Sequence, residues 1–229
     1  MKDLLFLAAD LWLMATTWYF GIRMFRTYGN HLLTLEWLVV AVSSTNFLLW
    51  ALMGGDEDNL SYHIAYALDA FSRSFGFTLI LVLGLMAVTH GYKPSRVVEI
   101  GTVSLAAVSG VLLGRMYDGT LHVGLATFYL VANLLTAVFL FYFAKRVWDA
   151  GARTTAVWTA LVTVAASYVA LVYDFFPFSF DDENRTIFYT MALTVWGAAA
   201  VVYFYAYRAL HDHNVAVGEP TPFPEKVAA

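Results

Sequence analysis

Seven apolar runs take up most of this 229-residue chain, and they constrain its fold more than any other feature. They cover approximately residues 4–22, 33–53, 64–88, 97–114, 121–144, 155–176 and 186–207. Crossing about 30 Å of hydrocarbon takes roughly 20 helical residues, and each run is near that length. Inside lipid only a helix or a closed barrel pairs all of its own backbone groups. Barrel strands would read as alternating segments of about ten residues, whereas these runs are unbroken. The expected fold class is therefore all-α: a polytopic membrane protein built as a bundle of seven transmembrane helices. On this reading residues 1–210 form the transmembrane domain. Residues 211–229, with Pro220, Pro222 and Pro224 among polar side chains, form a disordered cytoplasmic tail.

Composition agrees. The chain is 60% hydrophobic and 13% charged, against about 25% charged in soluble domains. A water-soluble core of this size could not hide so much apolar surface. The absence of cysteine excludes disulfides, thiolate metal sites, thiol nucleophiles and palmitoylation. A net charge of −4 and singly scattered basic residues give no sign of a nucleic-acid partner. The start of the chain resembles a signal peptide, but Asp10 interrupts the apolar stretch and no small-residue cleavage site follows, so this run is expected to stay as the first span.

Basic residues set the expected orientation. Arg23, Arg26, Lys93, Arg96, Lys145, Arg146, Arg153, Arg208 and Lys226 fall on one side of the runs, and only Lys2, Arg115 and Arg185 on the other. The positive-inside rule puts the first set in the cytoplasm, with the N-terminus outside and the C-terminus inside, in a plasma or inner membrane. The opposite side is acidic, with Asp56, Glu57 and Asp58 in one loop and Asp181, Asp182 and Glu183 in another. None of the five prolines lies inside a run, so no proline kink is expected. Ala106, Gly110 and Gly114 recur at four-residue spacing, the pattern of a close helix seam. A faint repeat pairs Trp37 and Asn46 of the second run with Trp158 and Ser167 of the sixth.

Charge inside a membrane costs about 2.5–3.5 kcal/mol per residue on insertion scales, so intramembrane charges mark candidate sites. Asp10, Asp69 and Arg73 are the candidates, joined by Asn46. At about 1.5 Å per residue, Asp10, Asn46 and Arg73 fall roughly 9–14 Å below one surface. Asp69 and Arg73 stand at i and i+4, on one helix face, acid first, the favourable order for an ion pair. Tyr173 and Asp174 close the sixth run on the same side. Two readings compete. The set neutralises itself and fixes helix packing, or Arg73 binds an anionic group while Asp10 or Asp69 carries a proton.

Several chemistries are excluded or disfavoured. A retinal Schiff base needs a lysine within the bundle, and all four lysines lie outside the runs. Haem ligation is disfavoured because the histidines lie near run ends or in the tail. No zinc-protease, serine-hydrolase or phosphate-loop motif occurs. No metal and no cofactor is expected.

The plan resembles the fungal seven-helix terpene cyclases, which are similar in length and carry a comparable turn after the first span, here Arg26-Thr27-Tyr28-Gly29. That resemblance implies cyclisation begun by acids in the second and last spans. Here the matching stretch of the second span, Asn46 to Ala51, has no acid, and neither has the seventh run. The resemblance therefore extends to layout and not to the catalytic residues.

The expected function is an integral membrane transporter or small-ligand-binding permease, with a polar site in the outer half of the bundle and a small molecule or lipid as ligand. One alternative is a membrane-embedded enzyme acting on a lipid or isoprenoid. Another is a non-catalytic assembly or signalling subunit.

Overall fold

Asparagine and serine mark where helices begin. Asn30 accepts a hydrogen bond from the Leu33 N–H at 3.3 Å, Asn59 from that of Ser61 at 2.9 Å, and Ser95 from that of Val98 at 3.3 Å. These bonds satisfy donors that the first turn of a helix cannot. Between such starts run seven helices, all long and apolar enough to cross a membrane. They are α1 (Lys2–Thr27), α2 (His31–Leu52), α3 (Leu60–Thr89), α4 (Arg96–Gly114), α5 (Val123–Asp149), α6 (Arg153–Tyr173) and α7 (Thr186–Val217). The structure, a computed structural model, describes residues 1–54, 58–116 and 120–223. Asp56, Glu57, Tyr117, Pro224 and Lys226 lie outside the described residues. No strand occurs among the described residues. The protein is an all-helical bundle of the membrane type, as its apolar runs predict.

Helix α1 lies between α2 and α7, α6 joins α7 to α5, and α3 closes the ring by packing on both α2 and α5. Helix α4 leans on α3 from outside. Only 17% of its most apolar window is buried, against 50% for α3, so α3 is the inner helix and α4 a lipid-facing one. Their contact uses the expected seam. A Cβ on Gly110 would stand 2.7 Å from the Ala67 carbonyl oxygen, and one on Gly114 would stand 2.9 Å from the Ala67 Cα. The faint repeat has no structural counterpart. Trp37 is 2% exposed and Trp158 58%. Asn46 reaches across to α3, while Ser167 bonds within its own helix.

Two features depart from expectation. Helix α3 changes register without a proline. It is α-helical over Leu60–Phe71, π-helical over Ser72–Ile80 and α-helical again over Leu81–Thr89. π-Turns are rare and concentrate at functional sites. Neighbours hold the widened segment: the Thr136 hydroxyl of α5 donates to the Thr78 carbonyl at 3.3 Å.

The second departure concerns the tail. Residues 211–217, expected to be disordered, continue α7, and the following residues to Phe223 fold back on the bundle. One polar side chain of this stretch satisfies the end of α3 and another holds the fold-back itself. Asn214 donates to the Val88 carbonyl at 2.8 Å, and the His211 ring meets the Phe223 carbonyl at 3.1 Å. Gly218, at φ 74°, supplies the left-handed turn that ends the helix.

Candidate functional site

Four of the six candidate residues meet where α3 enters its π segment. Arg73 Nη1 lies 3.4 Å from Asp69 Oδ2 one turn earlier, and Nη2 bonds Asp174 at the end of α6. Asp69 Oδ1 accepts from the Tyr173 hydroxyl at 3.0 Å. The guanidinium carbon lies 4.0 Å from the centre of the Tyr173 ring and 4.2 Å from that of Tyr129 on α5, within reach of cation–π attraction. Trp196 of α7 stacks on Tyr173, with ring centres 6.1 Å apart. Four helices thus contribute to one polar cluster.

The cluster is well paired. The Arg73 fork divides between two carboxylates, and its faces lie between two aromatic rings. With two acids to one base it carries one excess negative charge. It is also partly open: the side chains of Arg73, Asp69 and Asp174 are 16%, 31% and 23% exposed. Planar two-armed forks of this kind suit carboxylate and phosphate alike. Tyr129 is absent from the sequence candidates, because a tyrosine in an apolar run carries no signal until the fold sets it over Arg73.

Asn46 and Asp10 stand apart. Asn46 donates to the Ser61 carbonyl at 2.8 Å, fastening α2 to the first turn of α3. Asp10 is buried on α1, and neither of its carboxyl oxygens has a hydrogen-bond partner among the described residues.

Sequence reasoning passes over one buried acid, Glu36 of α2. It lies so close to the start of its run that it reads as a solvated helix end. In the fold it is 0% exposed. A Cβ added to Gly76, in the π segment, would stand 2.8 Å from Glu36 Oε1. Neither carboxyl oxygen has a hydrogen-bond partner of ordinary geometry, and Ser72 is the polar side chain that interacts with it. The π segment thus touches Glu36 through Gly76 and carries Arg73 into the ion-pair cluster.

Two charged residues near the start of α7 serve helix ends. Asp181 accepts from the Ile187 and Phe188 N–H groups at 3.0 and 2.9 Å and caps α7. Slight burial pushes its carboxyl up. Three backbone N–H groups, with the charge of Lys2, outweigh that and hold it below the usual carboxylate range. Arg185 donates to the Tyr173 carbonyl at 3.2 Å. No group of three metal-ligating side chains occurs among the described residues. A groove of about 330 Å³ lies between α1 and α7, lined by Lys2, Leu5, Thr190 and Thr194 among others.

No protein-family description, no curated protein and no solved structure matches the chain, so its function has to be argued from this geometry.

Proposed function

We propose that this protein is a membrane transporter or small-ligand-binding permease whose ligand engages the Arg73 cluster. One observation carries the reading. Two carboxylates, a guanidinium and two tyrosines converge in an apolar bundle at the point where α3 leaves α-helical register. A purely structural ion pair needs no π segment, and such segments recur at functional sites. A small anionic molecule, carrying a carboxylate or phosphate, would take the Arg73 fork from Asp174 and leave the Tyr173–Asp69 hydrogen bond as the link between α6 and α3. The positive-inside pattern supports an orientation with this cluster in the outer half, the N-terminus outside and the C-terminus in the cytoplasm of a plasma or inner membrane.

The test is uptake of carboxylates and phosphate esters into vesicles containing the purified protein. Arg73→Lys should stay folded and lose most uptake, because an ammonium keeps the charge without the fork. Full uptake by a folded Asp69→Asn, Arg73→Gln double variant would reject the site. The chain lacks cysteine, so single cysteines placed at Lys2 and Val217 report orientation directly.

A second reading is favoured by the groove between α1 and α7, whose lining includes Leu5, Ile187, Met191 and Val195: an enzyme acting on a lipid or isoprenoid. Chemical conversion of a lipid substrate without net movement of any solute would select it.

A further inference from the structure

Glu36 is the only glutamate buried among the described residues. It faces Gly76, where the missing side chain leaves room for its carboxyl and any other residue would collide. A carboxylate taken from water into apolar surroundings is tolerated only with a partner charge or several donors. The charged groups on the packed elements do not meet it. On α3, Asp69 and Arg73 are paired with each other and with Asp174. On α1, Asp10 and Arg23 make no ion pair with it, and Tyr19 of α1 bonds Arg23. Tyr129 of α5 lies on Arg73. Such a group has a simple partner of its own, a proton.

We propose that Glu36 is a proton-binding site inside the bundle, and that the π segment of α3 gates it. Release passes the proton from the carboxyl O–H to water and leaves a carboxylate; uptake reverses this. For water to reach Glu36, the Gly76 turn must move. A π turn holds more residues than an α turn, so conversion of one to the other rotates the flanking residues about the helix axis. Ser72 and Gly76, which meet Glu36, and Arg73, which holds the ion-pair cluster, then move together. Gating of the proton rests on the contact with Gly76 alone. The further step, that the proton drives ligand transport, rests on the function proposed above.

Infrared difference spectra of the purified protein in lipid nanodiscs, taken as pH is raised, provide the test. A protonated-carboxyl band should shift when the chain's glutamates are labelled with carbon-13 and should be lost in Glu36→Gln. Amide exchange over residues 72–80, corrected for its intrinsic pH dependence, should rise as that band disappears in the wild type. It should stay constant in Glu36→Gln, which holds the neutral state. The isotope label needs no substitution, so the band is tested even if the variant fails to fold. Absence of a label-sensitive carboxyl band above about pH 6, where ordinary glutamates with a pKa of about 4.3 are ionised, overturns the proton site. A band present without any linked change in exchange overturns the gate. If both behave as expected while vesicles with an imposed pH gradient accumulate neither carboxylates nor phosphate esters, the transport reading fails and the proton site stands.

Discussion

The Tyr173 hydroxyl donates to Asp69 Oδ1 at 3.0 Å, tying the end of α6 to α3. Its ring also covers the guanidinium that the same aspartate pairs with. Tyr173→Phe keeps the ring and removes only the hydrogen bond. A bond to a charged acceptor contributes about 1.5–3 kcal/mol. The variant should lose about that much unfolding free energy in a denaturant titration, and a double-mutant cycle with Asp69→Asn should show strong coupling.

Arg73→Ala should be far more damaging than loss of both charges of the pair. It leaves Asp69 and Asp174 facing each other without a cation, and for a pair this partly exposed the cost lies below the roughly 3–5 kcal/mol of a fully buried one. The Asp69→Asn, Arg73→Gln double variant should be more stable than Arg73→Ala alone. Thermal unfolding in detergent, read by fluorescence, gives the order.

The seam between α3 and α4 should resist enlargement. Gly110→Val forces a side chain toward the Ala67 carbonyl and Phe71, and overpacking of this kind costs about 1–3 kcal/mol. Gly101, with nothing near its Cβ position, should accept alanine without loss. Comparing melting temperatures of the two variants separates packing from helix propensity.

The cap on α7 gives a pH dependence with a definite sign. The Asp181 carboxyl is lowered in the fold, so its support is present above the ordinary carboxylate pKa of about 3.9 and fades as pH falls through its folded value. Asp181→Ala lacks that support throughout. The difference in melting temperature between wild type and variant should be largest near neutrality and close in strong acid.

The spans were legible in the sequence because length and unbroken apolarity alone decide them. The Asp69–Arg73 pair was legible because i and i+4 on a helix are neighbours in any fold. Its partners Asp174 and Tyr173 could be placed at the right depth, but only packing reveals that α6 delivers them to α3. Glu36 escaped notice because an acid near a helix start has an ordinary solvated explanation, and its burial depends on Gly76 of another helix. The π segment has no local signature, since Ser72–Ile80 contains no proline and its register is set by α2, α4 and α5. The end of α7 reads as disordered in the sequence because the partner of Asn214, the Val88 carbonyl, is remote along the chain.

Two asparagines give α3 a mechanical character. Asn30 donates to the Gly84 carbonyl and Asn214 to that of Val88, both at 2.8 Å. One comes from the start of α2 and the other from the far end of α7, and both grip the last turns of the same helix. A rod pinned at its foot cannot slide along its own length; it can only twist or bend above the clamp. Any motion that reaches the polar cluster is therefore a rotation about a fixed base, with the widened turns as its bearing.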